Sequence, residues 1–454
     1  MGVSRRFFLK GLAASSAAAA ASGLVPGMLR RRAYAQQAQA YPTIFILLRG
    51  GLDPAMAYDA RTGYVNRNVQ AADIRETAGG IRWYEPSMSP MTNHMADCSI
   101  IRNISCSSSH IAGYALAWYG EGGTDEAVAA TPWPNYLSSE LQKTNKVPAA
   151  NLVTYRVNQD QPRTDYVSFN NSSPSPLGAA QRVQRIQDLA NGLDVLQGQP
   201  DPAFQARVFQ HVSGMDSGLY SPTVQPITTS NFGIANSQAT ELLTAPLPVI
   251  WPPDAETQSL FNLSTADINN TVSENNQRFE SHLALAYTVA KLQLSHSVFV
   301  QTPNIGWDTH QNHDGGQRNS TLSAFTEIAR LIDALKGTVS PIDGTKSMLD
   351  TTHVVITSDI SRANSADNGA DLDGTGTPHW PWTQALLIGG NFKRDYVFGD
   401  VAANQQGVPA DFDTGALGEG RNPTFKELHA TVLAANGVDP TGWGPAPAIN
   451  AVLK

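Results

Sequence analysis

Tyr41-Pro-Thr-Ile-Phe-Ile-Leu-Leu-Arg-Gly-Gly-Leu-Asp53 decides how the chain is read. The run from Tyr41 to Leu48 is apolar without alternation, which is the pattern of a parallel strand buried on both faces. Its glycine turn delivers an aspartate at the strand's carboxyl end. Runs of the same kind recur. Ser99–Ser105 leads through Cys106-Ser-Ser-Ser-His110 into an apolar, helical stretch ending at Trp118. Phe279–Leu294 has helical spacing and precedes the strand Ser297–Gln301. Leu322, Phe325, Ile328, Leu331, Ile332 and Leu335 fall on one helical face. His353–Thr357 and Gln384–Ile388 are further strands, and Phe425–Asn436 is an amphipathic helix. Strands alternating with helices at both ends predict an α/β fold of three αβα layers around a mostly parallel sheet. The stretch from about 158 to 276 is polar and rich in Pro, Ser and Gln, with a helix expected over Gln181–Leu196. It reads as an insertion or cap on one domain spanning 36–454.

The amino terminus carries an address. Ser4-Arg5-Arg6-Phe7-Phe8-Leu9-Lys10 fits the twin-arginine export signal. An alanine-rich stretch from Gly11 to Met28, three arginines and the small-residue site Ala33-Tyr34-Ala35 follow, so residues 1–35 read as a cleaved signal peptide. The expected location is periplasmic or extracellular, reached through the twin-arginine machinery by an already folded chain. The full chain has 31 basic and 39 acidic residues; residues 1–35 hold six of the former and none of the latter. Cleavage therefore moves the net charge from −8 to −14. That balance argues against a nucleic-acid partner and against an anionic membrane surface. No later run has the apolar length of a membrane span, so no stable anchor is expected after cleavage.

The two cysteines, Cys98 and Cys106, bracket the strand-like run between them. A strand of eight residues spans about 26 Å, beyond disulfide reach, so two unpaired thiols are expected in spite of an oxidising compartment.

Residues that carry chemistry in an open α/β sheet gather outside the carboxyl ends of its strands. Asp53 follows the first strand. Asp308 and His310 follow the strand starting at Ser297, Asp359 follows the one starting at His353, and His379 lies in Thr377-Pro-His-Trp-Pro-Trp382. Carboxylates and imidazoles converging from four segments are what a divalent cation such as zinc, calcium or manganese requires. Taken singly, each has a plainer role as a turn cap or a packed histidine. A Gly-x-Ser-x-Gly elbow, a dinucleotide fingerprint, Cys-x-x-Cys and a haem-attachment motif are all missing from the sequence. The acid-rich loop Asp367–Asp373 lacks EF-hand spacing and reads as a mobile loop bordering the site.

Arg49-Gly-Gly-Leu-Asp53, Gly306-Trp-Asp-Thr-His310, Thr357-Ser-Asp-Ile-Ser-Arg362, His379-Trp-Pro381 and Leu428-His-Ala-Thr-Val-Leu433 with Gly437-Val-Asp-Pro440 resemble, in order, the motifs of the domain-of-unknown-function 1501 family. That family of exported bacterial proteins is similar to the alkaline phosphatase and sulfatase superfamily. The resemblance implies an alkaline-phosphatase-like fold and hydrolysis of a phosphate or sulfate ester at a metal centre. It assigns Asp53 to one metal position, and Asp308, His310 and His379 to another, with Asp359 in the stretch similar to the superfamily's Ser-Asp-His. The chain departs from the pattern: Ile360 stands where that His is expected, and Pro378 where many members have Asp. The spacing from Asp308 to His310 is tight, and His313 competes for the second role. The nucleophile falls within Cys106–His110. Ser109 is the first candidate, with His110 as metal ligand or acid/base. Cys106 is the second, in a stretch similar to the sulfatase signature but with Ser108 and His110 in place of its proline and arginine. A serine run before a helix also serves as an N-cap. A site without a nucleophile stays open, and with it a non-catalytic binding or assembly protein that keeps the fold.

Overall fold

The computed structural model describes residues 40–120, 132–141, 143–145, 147, 151–154, 181–183, 251–268, 278–302, 306–369 and 372–454. The signal segment and most of 158–276 lie outside the described residues. Eight strands form one sheet: β1 (Thr43–Leu48), β2 (Cys98–Ser105), β3 (Asn151–Thr154), β4 (Gln181–Val183), β5 (Ser297–Gln301), β6 (His353–Ser358), β7 (Trp382–Ile388) and β8 (Tyr396–Phe398). Their order across the sheet is β8-β2-β7-β6-β1-β5-β3-β4. Every pairing is parallel except those of β7, which runs against β2 and β6.

The unbroken apolarity of β1 is explained by its place near the middle. Ile44, Ile46 and Leu48 face one layer and Phe45 and Leu47 the other, because side chains alternate along a strand. On the first face lie helix α3 (Phe279–Lys291), through Leu283, Ala286 and Ala290, and helix α4 (His313–Gly337), through Phe325, Ile328 and Leu335. On the second lie α1 (His110–Tyr119), α2 (Trp133–Leu141) and α5 (Phe425–Ala435), through Trp118, Trp133 and Leu428. Phe45 stacks on Phe299 at 4.8 Å, and Phe299 on Trp118 at 3.7 Å, so aromatic contacts tie β1 and β5 to α1. Helix ends follow local chemistry. Gly120 closes α1 at φ +70°, and Thr424 and Glu427 form a capping box at the start of α5.

The expected helix over Gln181–Leu196 is corrected in its first turn. Gln181–Val183 is strand β4, paired in parallel with β3, while 184–196 lie outside the described residues. This part of the 158–276 stretch extends the sheet edge. Cys98 and Cys106 sit at the two ends of β2 as free thiols. Among the described residues no helix is long and apolar enough to cross a membrane.

The topology collects one set of loops at one edge. β1, β2, β5 and β6 all end there, delivering Asp53, His110, Asp308 and Asp359. Because β7 runs the other way, it starts at that edge: Trp382 pairs with Ser105, the last residue of β2. His379, three positions earlier, is thereby brought to the same place.

Candidate metal centre

Asp308 is the hub. Its Oδ1 lies 3.3 Å from His110 Nε2, 3.0 Å from His310 Nε2 and 3.1 Å from His379 Nε2. The guanidinium of Arg362 reaches the same oxygen at 3.1 Å. Burial pushes the Asp308 carboxyl up. The bonds from His110 and His379 and the charges of His110 and Arg362 outweigh it and hold the group far below the usual carboxylate range. The ligand atoms of His110, Asp308 and His379 all lie within 4.8 Å of one another.

The far nitrogens explain why the near ones converge. His110 Nδ1 lies 2.5 Å from Asp359 Oδ2, His310 Nδ1 2.6 Å from Asp367 Oδ2, and His379 Nδ1 2.8 Å from the Ser108 carbonyl. Carboxylates and carbonyls only accept, so all three Nδ1 atoms carry the proton, a tautomer inferred from these partners. In the neutral ring each Nε2 is then a lone pair turned toward Asp308. The Nε2 atoms of His310 and His379 stand 3.1 Å apart, two acceptors facing each other. His110 Nε2 is buried and faces Asp308 Oδ1 alone. Such a set fits a divalent cation, with imidazoles oriented from behind by carboxylate or carbonyl. Without a cation, the His110 imidazole takes up a second proton instead: burial lowers its pKa, but its bonds to Asp308 and Asp359 prevail and raise it to about 9.

Asp359 is fully buried. Its Oδ1 accepts from Gly50 N at 3.0 Å and Gly51 N at 3.3 Å, so its free oxygen is the one that holds His110. It orients an imidazole from behind. The turn can aim two N–H groups at one carboxylate because Gly50 and Gly51 adopt φ +104° and +82°. Ile360 is buried and packs beside Gly51, so no nitrogen ligand comes from that position.

Asp53 is placed elsewhere from its expected role. Its carboxylate accepts from Ala55 N at 3.0 Å, pairs with the Arg67 guanidinium and lies 2.8 Å from His313 Nε2. Burial pushes the Asp53 carboxyl up, but Arg67 and His313 outweigh it and bring it to about 2. His313 Nδ1 is held by the hydroxyls of Thr309 at 2.7 Å and Thr377 at 3.0 Å. His313 thus belongs with Asp53 and not with Asp308.

The nucleophile candidates differ sharply. Ser109 is exposed at the N-cap of α1 and its side chain caps nothing; its N–H bonds to Ser107 Oγ at 3.0 Å. Cys106 lies four residues before α1, too early for the helix terminus to lower its pKa. Burial and the nearby Asp359 charge push the thiol well above its ordinary value. The expectation of an activated thiol at a helix start is corrected accordingly.

Arg67, the contact of Arg362 with Asp308 and the Asp367–His310 pair were not anticipated. Arg67 lies in a polar loop, Val65-Asn-Arg-Asn68, where nothing in the pattern marks burial. Asp367 was within sight, in the acid-rich loop, but its partner is 57 positions away.

A three-layer α/β sheet with an imidazole–carboxylate group at its carboxyl edge is the class of protein this chain represents. It belongs to the family described as "Protein of unknown function (DUF1501)", whose profile matches residues 43–443. No curated protein gives a significant match. Among solved structures, it is similar to the PsFucS1 sulfatase from Pseudoalteromonas sp., with 10% identity, 91% of this chain and 72% of that one covered, and a TM-score of 0.39. A protein in the alkaline phosphatase superfamily from Vibrio parahaemolyticus shares 11% identity over 90% of this chain and 69% of that one, at 0.36. The C-terminal periplasmic domain of EcEptC from Escherichia coli, in complex with Zn, shares 10% identity over 91% and 87%, at 0.39.

Proposed function

We propose that the chain is an exported, metal-dependent hydrolase of a phosphate or sulfate ester. The observation that carries this reading is the convergence of three Nδ1-anchored imidazoles on Asp308. His110, Asp308 and His379 would hold a divalent cation, with His310 beside them. A cation bound there would polarise an ester oxygen and offset the charge that builds on it. The chain's own groups do the rest. Asp359, Asp367 and the Ser108 carbonyl fix the imidazoles, and Arg362 keeps Asp308 anionic. Ser109, exposed and adjacent to His110, offers a hydroxyl free of capping duty. Export rests on Ser4–Lys10 and the Ala33-Tyr34-Ala35 site. Replacing Arg5 and Arg6 by lysine is expected to leave a precursor in the cytoplasm, and unimpaired export would refute this part.

Activity is tested with an aryl phosphate, an aryl phosphodiester and an aryl sulfate, before and after chelation and with zinc, manganese or calcium restored. Turnover is expected to vanish on chelation, to be lost in Ser109→Ala with metal still bound, and to survive in Cys106→Ser. Metal-replete protein inert towards all three esters would favour a non-catalytic binding protein. The closure of Asp53 by Arg67 is the observation that supports this second reading.

A further inference from the structure

Two carboxylate–imidazole groups stand at the carboxyl edge of the sheet, and they differ in what already occupies the carboxylate. The first is Asp308 with His110, His310 and His379. The second is Asp53 with His313, and there both carboxylate oxygens are already engaged. Asp53 Oδ1 receives Ala55 N, while Oδ2 receives both Arg67 Nε and His313 Nε2. Arg67 cannot simply swing aside. Its side chain is fully buried, with NH1 on the Val65 carbonyl at 2.9 Å and NH2 on the Arg362 and Ala363 carbonyls at 3.2 Å each. A cation on Asp53 would meet this guanidinium at contact distance, at a carboxylate that is buried, where repulsion is weakly screened.

Arg362 extends the same arrangement. Its backbone carbonyl accepts from Arg67, and its fully buried side chain reaches Asp308. Its Nε and NH1 make no hydrogen bond, and its charge also acts on Asp53 and Asp359. Each of the two carboxylates is thus in direct contact with a guanidinium, Asp53 with Arg67 and Asp308 with Arg362. The charges agree. Asp53, Asp308, Asp359 and Asp367 are four negative groups against the positive Arg67 and Arg362, and the imidazoles are neutral once they ligate a cation. One divalent cation neutralises the remainder. A second would leave two positive charges uncompensated in a largely buried site.

We infer that the centre takes one divalent cation per chain, at His110, Asp308, His310 and His379, and that Arg67 and Arg362 supply the positive charge a second cation would bring to Asp53–His313. This rests on the metal-dependent reading above and corrects the assignment of Asp53 as a metal ligand.

The test is metal stoichiometry of the folded mature protein, by elemental analysis after equilibration with zinc alone and with manganese alone, paired with calorimetric titration. One cation per chain is expected. Two per chain would overturn this inference and leave the hydrolase reading standing; none would remove both. Asp308→Asn, at a half-exposed position, is expected to weaken zinc binding at least about tenfold, because a neutral amide replaces the anionic ligand. Unchanged zinc affinity in that variant, if folded, would place the cation away from Asp308 and overturn the inference. Arg67→Met, if folded by circular dichroism, is expected to gain a second cation on the freed Asp53–His313 pair. A folded variant that still binds one would overturn the role given to Arg67.

Discussion

Replacing Asp359 by asparagine changes one atom and inverts the hydrogen-bond logic of the centre. In the wild type, Oδ1 accepts from the N–H groups of Gly50 and Gly51, and Oδ2 accepts from His110 Nδ1. An asparagine has one acceptor and one donor to offer. If its oxygen keeps the glycine turn, its NH2 faces His110 and makes Nδ1 the acceptor. The ring proton then moves to Nε2, the atom that must present a lone pair to a metal. If the amide flips, His110 keeps its tautomer, but the NH2 group faces two buried backbone donors, each left unsatisfied at roughly 1–3 kcal/mol. The first orientation is therefore favoured. Losing a carboxylate behind a ligating imidazole weakens metal affinity by roughly 10- to 100-fold. That corresponds to about 1.4–2.7 kcal/mol. The assay is competition for zinc against a chromophoric chelator, with urea unfolding to confirm the fold. The ¹⁵N shifts of the metal-free His110 ring report the tautomer directly. Affinity within twofold of the wild type, with Nδ1 still protonated, would refute the reasoning.

Three further outcomes follow from the same contacts. In Gly113→Ala, the new Cβ would collide with the backbone carbonyl oxygen of Asp359. The overpacking penalty of roughly 1–3 kcal/mol exceeds the gain in helix propensity of about 1 kcal/mol. A lower melting temperature and weaker metal binding are expected, and a variant at least as stable with unchanged affinity would contradict this. For Asp53, the folded pKa of about 2 lies below the ordinary aspartate value of 3.8. Its contribution, roughly 2 kcal/mol for so buried a group, is present above pH 3.8 and lost as pH falls through about 2. The stability gap between wild type and Asp53→Asn is expected to narrow over that window in urea titrations; a gap independent of pH would rule this out. Cys106, with its thiol pushed up by burial and Asp359, is expected to react with iodoacetamide at neutral pH at least about tenfold more slowly than a small-molecule thiol. Rapid alkylation would show a thiolate instead.

Much of the fold is legible because central strands of a parallel sheet are buried on both faces and leave unbroken apolar runs such as Ile44–Leu48. The sheet edges are not. Gln181–Val183 is strand by virtue of pairing with Asn151–Thr154, and its three residues carry no period that separates strand from helix. The direction of β7 is likewise invisible in Gln384–Ile388, yet it is what brings His379 to the site. Asp308, His310 and His379 were legible because each follows or precedes a strand in a dense polar motif. The contacts of Asp53 were not legible for the same reason: a carboxylate at a strand end looks alike whether a metal or an arginine faces it. Only the fold could show that Arg67, from a loop with no apolar signal, is the partner.

The central claim is that the three Nε2 atoms and Asp308 surround a cation. Anomalous diffraction at the metal absorption edge, from crystals of zinc-equilibrated mature protein, tests it most directly. The account predicts one peak per chain, at about 2.0–2.2 Å from His110 Nε2, His379 Nε2 and an Asp308 oxygen. No peak at that position, or a peak on Asp53 and His313 in its place, would contradict it.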